Sequence, residues 1–489
     1  MHDPRSVAIR DIAPRIDGSS SSPTDWLEFS DPYTSQPVSR VARSGPEVID
    51  DAVRAARRVQ PRIAAMPVAE RAAILRRAAD LIEERADGLA VTISREIGKA
   101  LKNTRREVRR SAATLRAAAT AAESLSGTIP DASVSAEGAG LLALAMRVPV
   151  GVVAAITPFN APFNLVAHKI APSFAAGNAT IVKPASQTAA TALDLIEILE
   201  EAGAPAGAFG LVPGDRETVR ALASHEGIDL FSLTGGRAAA LALSGLSGTR
   251  RVLQELGGNS PNIVHEDADL AVAVREVVSG GFSNSGQSCN SVQRLYVHRR
   301  IADDFTGRLV EAVARLRCGD PLDPATDVGT LVDRAAAERI EGWIATAVDG
   351  GARVLVGGRR TGATLEPTVI ADAADDSQLV CDEVFGPVVA ILPYDSLGEA
   401  IQRANASSFG LMAAIFTSSL GSAIQAATDL QTGGVVVNRS TNFRLDHLPY
   451  GGVKDSGSGR EGPSWAVEEM TTVKLVLIDP LVARQPSAG

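Results

Sequence analysis

The chain has 489 residues, of which 45% are hydrophobic and 21% charged, and its formal net charge is −9 at pH 7. A chain of this length exceeds what one hydrophobic core organises, so we expect two or three domains, and the composition is that of a folded protein. The acidic net charge argues against a nucleic-acid-binding protein, whose contacts need clustered lysine and arginine. The one basic stretch, RREVRR at 105–110, is explained by one face of a helix.

No segment of the chain predicts export or insertion into a membrane. The first 18 residues lack the apolar core of a secretory signal. The longest apolar stretch, Gly140 to Phe159, is interrupted by an arginine and two prolines, so it predicts a buried strand with its approach loop. Three cysteines (Cys289, Cys318 and Cys381) cannot all pair, and no metal-ligand spacing is present. We therefore expect a cytoplasmic protein without a metal site.

Helical and strand-like patterns follow one another along the first half of the chain. Apolar residues recur with a helical period from Ile74 to Ile82. From Gly151 onward, the strand-like runs are GVVAAIT, ATIVKP, FGLVPG, DLFSLTG and RVLQELGG. The predicted helices between them are Ala189–Ala202, Thr218–Ser224 and Arg237–Leu246. This alternation predicts an α/β fold with a parallel sheet that helices cover on both faces.

A second block of the same kind begins after Gly258. Helical patterns at Leu270–Ser283, Ile301–Leu316 and Ala335–Val348 flank the strand-like runs QRLYVH, ARVLVG and PVVAILPY. The chain then ends in an apolar TTVKLVLI run at 471–478. A terminal strand without a partner in its own sheet often completes a second subunit, so we expect a homodimer or homotetramer.

Three polar residues stand where catalysis is chemically reasonable. Cys289 lies among small residues in FSNSGQSCNSVQR, where a thiolate can attack a carbonyl carbon; the alternative is a buried structural thiol, which is the interpretation of Cys318 and Cys381. Glu255 ends a strand before two glycines and can act as a general base; the alternative is a surface glutamate. The amide of Asn160, in ITPFNAPFN, can donate to an oxyanion; the alternative is a turn-forming asparagine.

Seven motifs carry a resemblance to a known family. In chain order they are TPFN, KPAS, SLTGG, ELGGNSPNIV, GQSCNS, EVFGP and PYGGVKDSG. Their order and context resemble the aldehyde dehydrogenase superfamily over roughly Asp31 to Ile478. The resemblance implies oxidation of a small aldehyde to its acid with NAD or NADP. It implies that Cys289 forms the thiohemiacetal and thioester, that Glu255 activates the hydrolytic water, and that Asn160 and the cysteine N–H hold the oxyanion.

The resemblance also implies the cofactor site. Lys183 matches a lysine that contacts the adenine ribose and, in some members, a 2′-phosphate. NAD-preferring members often carry a glutamate three residues later, and Ser186 stands there instead, which leaves room for NADP. The pyrophosphate, nicotinamide and ribose contacts are implied at Ile156, Pro158, Phe159, Thr234, Gly235, Glu383 and Phe385. The family's variant Rossmann domain lacks a GxGxxG motif, as this chain does.

The motifs indicate the substrate less specifically than they indicate the reaction and the cofactor. The chain resembles most the subgroup of lactaldehyde, sulfolactaldehyde, phosphonoacetaldehyde and non-phosphorylating glyceraldehyde-3-phosphate dehydrogenases. Arg110 and Arg444 match phosphate-contacting arginines, and two guanidinium groups can clamp an anion. The alternatives are an ion pair of Arg444 with Asp446 or another carboxylate, and a solvated helix face for Arg110. Ser288 and Ala161 depart from the pattern of phosphate-using members, so a short hydroxy-aldehyde, a sulfonate or a carboxylate stays open.

The resemblance implies three structural parts and leaves two rival functions. Residues 1–122 and 144–256 would form the cofactor domain, 257–455 the catalytic domain, and 123–143 with 456–489 a small β oligomerisation element. A CoA-acylating semialdehyde dehydrogenase is the first rival, and Glu255 argues against it because such members commonly lack that glutamate. A catalytically silent homologue is the second, and it would have been favoured by loss of the cysteine, glutamate or asparagine.

Overall fold

The N-terminal part of the molecule is built from short strands and four long helices. The computed structural model describes residues 9–20 and 23–480. Its first strands are β1 (Arg10–Ile12), β2 (Arg15–Ile16), β3 (Ser19–Ser20), β4 (Trp26–Ser30) and β5 (Pro37–Ala42), followed by helices α1 (Pro46–Ala65), α2 (Val68–Glu84), α3 (Ala86–Ile97) and α4 (Leu101–Ser124). The predicted helical period lies within α2, which buries Ile74 and Ile82. Helix α4 carries the basic stretch and packs against α2.

The first large sheet follows. Its part of the chain contains β6 (Leu142–Pro149), β7 (Val152–Ile156), α5 (Pro162–Ala175), β8 (Ala179–Lys183), α6 (Ala189–Glu201), β9 (Phe209–Leu211), α7 (Arg216–Ser224), β10 (Leu230–Thr234), α8 (Arg237–Leu246) and β11 (Arg251–Glu255). The sheet order is β11-β10-β7-β8-β9-β2-β3, and the first five strands are parallel. All five strands predicted here are confirmed. The approach loop predicted at the start of the 140–159 stretch is wrong, because it is itself a strand, β6, which turns at Gly151 (φ +125°) into β7.

The parallel register brings four strand ends to one edge of this sheet. Ile156, Lys183, Thr234 and Glu255 are the last residues of β7, β8, β10 and β11. Ile156 pairs with Lys183, and Thr234 pairs with Glu255. The carboxyl edge of a parallel α/β sheet is where such folds bind their ligands.

The second large sheet begins directly after β11. It and its surroundings comprise β12 (Ser260–Val264), α9 (Leu270–Phe282), β13 (Val292–His298), α10 (Ala302–Ala314), α11 (Arg334–Asp349), β14 (Arg353–Val356), β15 (Arg360–Thr361), β16 (Thr364–Leu365), β17 (Thr368–Ala371), α12 (Gln378–Cys381), β18 (Val388–Tyr394), α13 (Leu397–Asn405), β19 (Phe409–Gly410), β20 (Met412–Phe416), α14 (Leu420–Asp429), β21 (Gly434–Val437) and β22 (Val453–Lys454). The sheet order is β14-β17-β18-β13-β12-β20-β21.

Both faces of the second sheet are buried. On β13, Tyr296 belongs to the apolar cluster on one face, and its neighbours Leu295 and Val297 belong to the cluster on the other. Alternate residues of a strand point to opposite faces, so two buried faces require an apolar run without alternation. The α/β prediction is confirmed, and the predicted strands QRLYVH, ARVLVG and PVVAILPY are β13, β14 and β18.

The C-terminal segment leaves both large sheets. After α15 (Pro463–Glu469), strand β23 (Thr471–Ile478) pairs antiparallel with β6 along its whole length. Val473, Leu475 and Leu477 on β23 are 56%, 59% and 56% exposed. The predicted terminal strand is confirmed. The division into three parts stays a prediction, and most of β6 lies outside the segment 123–143 assigned to the oligomerisation element.

Across residues 9–20 and 23–480, no helix combines the length and the apolar character that crossing a membrane requires.

Candidate active site

A cavity of about 100 Å³, lined mainly by residues of polar types, lies between segments that belong to both large sheets and their helices. It lies between helix α4, the segment after β7, the loop before β13 and the loop from Asn442 to Tyr450. Four predicted site residues line it: Asn160, Cys289, Arg110 and Arg444. Residues far apart in the chain therefore meet at one place, as the resemblance predicts for catalysis.

Cys289 is held in a loop between α9 and β13. Its carbonyl oxygen lies so close to Gly258 that a Cβ at that glycine would collide with it. The sulfur lies 3.0 Å from the hydroxyl of Tyr450. Burial raises the pKa of the thiol to about 12, although the Tyr450 hydrogen bond opposes the shift. Cys318 and Cys381, for which a buried structural thiol was predicted, are exposed.

Two hydrogen-bond donors beside Cys289 have no acceptor. The carbonyl of Asn160 accepts from Lys99 Nζ (3.1 Å) and Asn284 Nδ2 (2.9 Å), which fixes the backbone after β7. The side-chain amide of Asn160 forms no hydrogen bond with any described residue, although the residue is only 7% exposed. The backbone N–H of Cys289 likewise donates to no acceptor in the described chain. An oxyanion in this cavity would find two free donors.

Glu255 is buried behind the same loops. It is 4% exposed, so the alternative of a surface glutamate is wrong. Within the described residues neither carboxylate oxygen has a hydrogen-bond partner. A Cβ on Gly451, the residue after Tyr450, would lie 2.8 Å from its Oε1. Burial and the nearby Glu461 charge raise the pKa of Glu255 well above its usual value, which suits a group that takes up a proton.

A buried charge cluster that the sequence did not reveal underlies the site. Glu461 accepts from Arg444 Nη2 (2.8 Å) and from the Thr234 hydroxyl (3.1 Å). Lys169 Nζ lies 3.8 Å from the same carboxylate. Burial would raise the pKa of Glu461, but the neighbouring cations outweigh burial and lower it to about 2. Lys169 stands in the HKIAP segment, and no local pattern connects that segment with Glu461.

The two predicted anion-binding arginines are already paired. Arg110 donates two hydrogen bonds to Asp446, at 2.8 and 2.7 Å. Arg444 lies 3.5 Å from Asp446 besides its contact with Glu461, which is the ion pair named as the alternative. The solvated helix face considered for Arg110 is wrong, because the guanidinium points into this cluster. Burial would raise the pKa of Asp446, but hydrogen bonds from His168 and Arg110 hold it well below its usual range.

Arg106, one helical turn before Arg110, was not singled out from the sequence. It lines the cavity and is exposed. Among the described residues, its guanidinium has no ion-pair or hydrogen-bond partner. The other cations that line the cavity are matched by carboxylates: Lys99 by Glu107, Arg110 by Asp446 and Arg444 by Glu461. Arg106 therefore leaves the cavity mouth with an unmatched positive charge.

The predicted cofactor residues gather at the carboxyl edge of the first sheet. Pro158 and Phe159 follow β7, and the Gly235 N–H donates to the Glu255 carbonyl (3.0 Å). Phe159 meets Phe385 edge to face, with ring centroids 5.8 Å apart. The Glu383 carboxylate accepts from the Gly258 N–H (2.9 Å), and burial raises the pKa of Glu383 to about 7. The TPFN, ELGG and EVFGP motifs thus meet around one edge.

The comparison with protein families decides the class. The family model described as "Aldehyde dehydrogenase family" matches residues 19–476. The chain belongs to the aldehyde dehydrogenase family. It is an NAD(P)-dependent aldehyde dehydrogenase, and the resemblance stated from the motifs is confirmed.

Individual relatives agree with this class over their whole length. The chain is 39% identical to a 3-sulfolactaldehyde dehydrogenase of Priestia aryabhattai, over 95% of this chain and 97% of that protein. Aldehyde dehydrogenase 21 from Physcomitrella patens, solved with the reaction product succinate, is 36% identical with a TM-score of 0.94, over 96% of this chain and 99% of that one. An NADP-dependent glyceraldehyde-3-phosphate dehydrogenase from Bacillus halodurans, solved with NADP, is 34% identical with a TM-score of 0.93, over 96% and 99%.

The cofactor edge of this aldehyde dehydrogenase fits a dinucleotide. Lys183 is 7% exposed and has no hydrogen-bond partner in the described chain, and burial lowers its pKa to about 8. An unpartnered buried ammonium is costly, and ribose hydroxyls or a phosphate would satisfy it. The neighbouring Ser186 is uncharged and donates to the Gly214 carbonyl. No group of three or more His, Cys, Asp or Glu side chains able to hold a metal ion occurs among residues 9–20 and 23–480.

A substitution at Ser186 tests cofactor choice. Ser186→Glu is expected to lower kcat/KM for NADP relative to NAD by roughly tenfold or more, because a carboxylate would repel the 2′-phosphate. Steady-state kinetics with both cofactors measures the ratio. Ser186→Ala, which removes the same hydroxyl without adding charge, is the control. An unchanged ratio in Ser186→Glu would mean that the 2′-phosphate does not bind here.

Proposed function

We propose that this enzyme oxidises a short polar or anionic aldehyde to its acid through a covalent thioester on Cys289. One observation carries the proposal. Cys289 and Asn160 line one small cavity, the Asn160 amide and the Cys289 N–H have no acceptor among the described residues, and Glu255 is buried against Gly451, the residue after Tyr450.

The first half-reaction is attack of the sulfur on the aldehyde carbon. The thiol loses its proton, a carbon–sulfur bond forms, and the carbonyl oxygen becomes an oxyanion between the Asn160 amide and the Cys289 N–H. Loss of one such donor costs about 3–4 kcal/mol, a hundred- to a thousandfold in rate. Bound NAD(P) would supply the hydride acceptor, and loss of a hydride from the tetrahedral carbon would leave a thioester on Cys289.

The second half-reaction is hydrolysis of that thioester. Glu255 takes a proton from a water molecule, the water oxygen attacks the acyl carbon, and the carbon–sulfur bond breaks to release the acid and the Cys289 thiolate; the proton then passes from Glu255 to solvent. Because the pKa of Glu255 is raised, the carboxylate form grows as the pH rises. Hydrolysis should therefore speed up with pH until Glu255 is fully ionised.

Two variants separate the half-reactions. Cys289→Ala is expected to abolish NAD(P)H formation, because no covalent adduct can form. Glu255→Gln should keep a burst of NAD(P)H of about one equivalent and lose steady turnover a hundredfold or more, because the thioester forms but is not hydrolysed. Stopped-flow absorbance and intact-protein mass spectrometry measure the burst and the acyl adduct. Steady turnover by Cys289→Ala would remove the nucleophile assignment.

The alternative function, transfer of the acyl group to CoA instead of water, can be tested directly. A buried glutamate with a raised pKa supports water as the acyl acceptor. Formation of acyl-CoA when CoA is added, at the expense of free acid, would favour the alternative.

The substrate class follows from the charges at the cavity. Most of the residues that line it are of polar types, among them Asn290, Asn442 and Ser288, and Arg106 supplies a cation that no described carboxylate pairs. The three relatives named above are described with sulfolactaldehyde, succinate or glyceraldehyde 3-phosphate, all anions at neutral pH. We infer that the substrate is an aldehyde with an anionic end. We propose that Arg106, and not the paired Arg110 and Arg444, binds that end.

Arg106→Ala tests this inference. It is expected to raise KM for an anionic aldehyde about two- to fivefold, the range of a solvent-exposed ion pair, and to leave KM for propanal unchanged. The matched control is Arg109→Ala on the same helix, since Arg109 is exposed but does not line the cavity. Succinic semialdehyde and propanal are the test substrates. Equal effects on both aldehydes, or the same effect from Arg109→Ala, would contradict the assignment.

We also propose a homo-oligomer formed through the β6–β23 ribbon, and a cytoplasmic location. The ribbon exposes apolar side chains on a strand outside both large sheets, and β21 ends the second sheet with one unpaired edge. Exposed apolar strands and open edges commonly mark subunit contacts.

The exposed thiols of Cys318 and Cys381 suit a reducing compartment, which supports the proposed cytoplasmic location. Residues 1–122 with 144–256, and 257–455, remain the proposed cofactor and catalytic domains.

A charge in the ribbon tests the assembly. Leu475→Glu is expected to lower the oligomer mass, because the interface would bury an unpaired carboxylate. Sedimentation velocity measures the mass. Leu420→Glu, at another exposed leucine (75%) on α14, is the control and should leave it unchanged. A Leu475→Glu protein with the wild-type mass would exclude this ribbon as the contact.

A further inference from the structure

Tyr450 makes a contact that the mechanism above does not use. Its hydroxyl lies 3.0 Å from the Cys289 sulfur, and this is the only hydrogen bond that the hydroxyl forms with described residues. Tyr450 is 6% exposed, so its side chain is almost wholly buried. A buried phenol normally satisfies its hydroxyl, and here the reactive sulfur is what satisfies it.

The position of Tyr450 is set from two sides. Its N–H donates to the Glu461 carbonyl (3.0 Å), and the Glu461 N–H donates back to the Tyr450 carbonyl (2.7 Å). The Arg444 guanidinium carbon lies 4.0 Å from the centre of the phenol ring. Arg444 is itself held by the Glu461 carboxylate. The backbone hydrogen bonds with Glu461 and the Arg444 guanidinium over the ring thus hold the phenol in place, with its hydroxyl against the Cys289 sulfur.

We propose that Tyr450 is a further catalytic residue, whose hydroxyl orients the Cys289 sulfur and donates a hydrogen bond to its thiolate. The inference rests on the proposed role of Cys289 as nucleophile. No proton is transferred between the two groups. The phenol keeps its hydrogen throughout, and the thiol proton leaves to solvent or to another base.

The charges around the sulfur explain why a donor is needed there. Glu383 and Glu461 lie near enough to oppose a negative sulfur, and Arg444 favours it from across the phenol ring. Glu255 is the remaining acidic group facing Tyr450. Tyr450 is the one described side chain that forms a hydrogen bond with the sulfur. A cation over the ring draws electron density from the phenol and makes its O–H a stronger donor.

The same contact serves both half-reactions. When the sulfur attacks the aldehyde, its negative charge moves to the carbonyl oxygen and the Tyr450 hydrogen bond weakens. When the thioester is hydrolysed, the sulfur leaves as a thiolate and the hydrogen bond strengthens again. A donor that faces the sulfur therefore stabilises the nucleophile before attack and the leaving group at the end.

The test is the pH dependence of Cys289 alkylation in Tyr450→Phe, which keeps the ring and removes the hydroxyl. Iodoacetamide labelling is followed peptide by peptide with mass spectrometry, between pH 6 and 10. We expect the Cys289 rate at any pH in this range to fall about ten- to a hundredfold, because a charge-assisted hydrogen bond is worth roughly one to two pH units in the pKa of the thiol. Cys318 and Cys381 should label at wild-type rates, which shows that the fold is intact.

Tyr394→Phe is the matched control. Tyr394 is also buried and its hydroxyl is bonded to His265 (2.9 Å), and neither residue lines the active-site cavity. A fall in Cys289 labelling in Tyr450→Phe alone supports the proposal. Wild-type labelling in Tyr450→Phe, or an equal fall in both variants, overturns it. If Tyr450→Phe does not fold, Tyr450→Met, which also lacks the hydroxyl, replaces it.

Labelling keeps this test separate from the proposed function. The readout follows the sulfur itself and needs no turnover. If Cys289→Ala retained activity, the nucleophile assignment would fail while the Tyr450 contact could still be measured. If Cys289→Ala is inactive and Tyr450→Phe labels normally, only the Tyr450 inference fails. Turnover should agree: Tyr450→Phe is expected to lower kcat/KM by about the same factor as labelling.

Discussion

The close approach of the Glu255–Gly258 segment to its neighbours is the constraint on which the site depends. This segment joins the last strand of the first sheet to the first strand of the second. A side chain at Gly257 would collide with the Glu383 carboxylate, and one at Gly258 would collide with the Cys289 carbonyl. Only a residue without a side chain lets the loop that carries Cys289 and the segment that carries Glu383 approach this backbone so closely. The two sheets are therefore joined beside the candidate active site.

Electrostatics organises the rest of the site. Buried ions are costly unless they are paired, and the cluster of Glu461, Asp446, Arg444 and Arg110 pairs them almost completely. This pairing ties the Asn442–Tyr450 loop to α4 and α5, because Asp446 bonds to Arg110 and to His168. It also pairs Arg110 and Arg444 with carboxylates, whereas the exposed Arg106 has no such partner among the described residues.

Much of the fold could be predicted because its signals are local. The strands β7 to β11 each end in a Gly, Pro or Thr motif, and the helices between them show a clear period. Cys289, Glu255 and Asn160 were predicted as site residues through motifs whose order matches a family. The first part of the 140–159 stretch was predicted wrongly, because an apolar run does not reveal that a turn at Gly151 divides it into two strands of different sheets.

The sequence by itself determined the α/β fold, the enzyme family and the residues that end each strand at the cofactor edge. Periodicity and motif spacing describe residues that are close together in the chain. The strands, the helices and the family motifs depend on such residues, so the sequence determines them. Only the tertiary structure decided which charges meet, since Arg110 and Asp446 are 336 positions apart. It also decided that Tyr450, 161 positions from Cys289, faces the sulfur. Contacts of this kind depend on how two sheets pack, which no local pattern in the chain encodes.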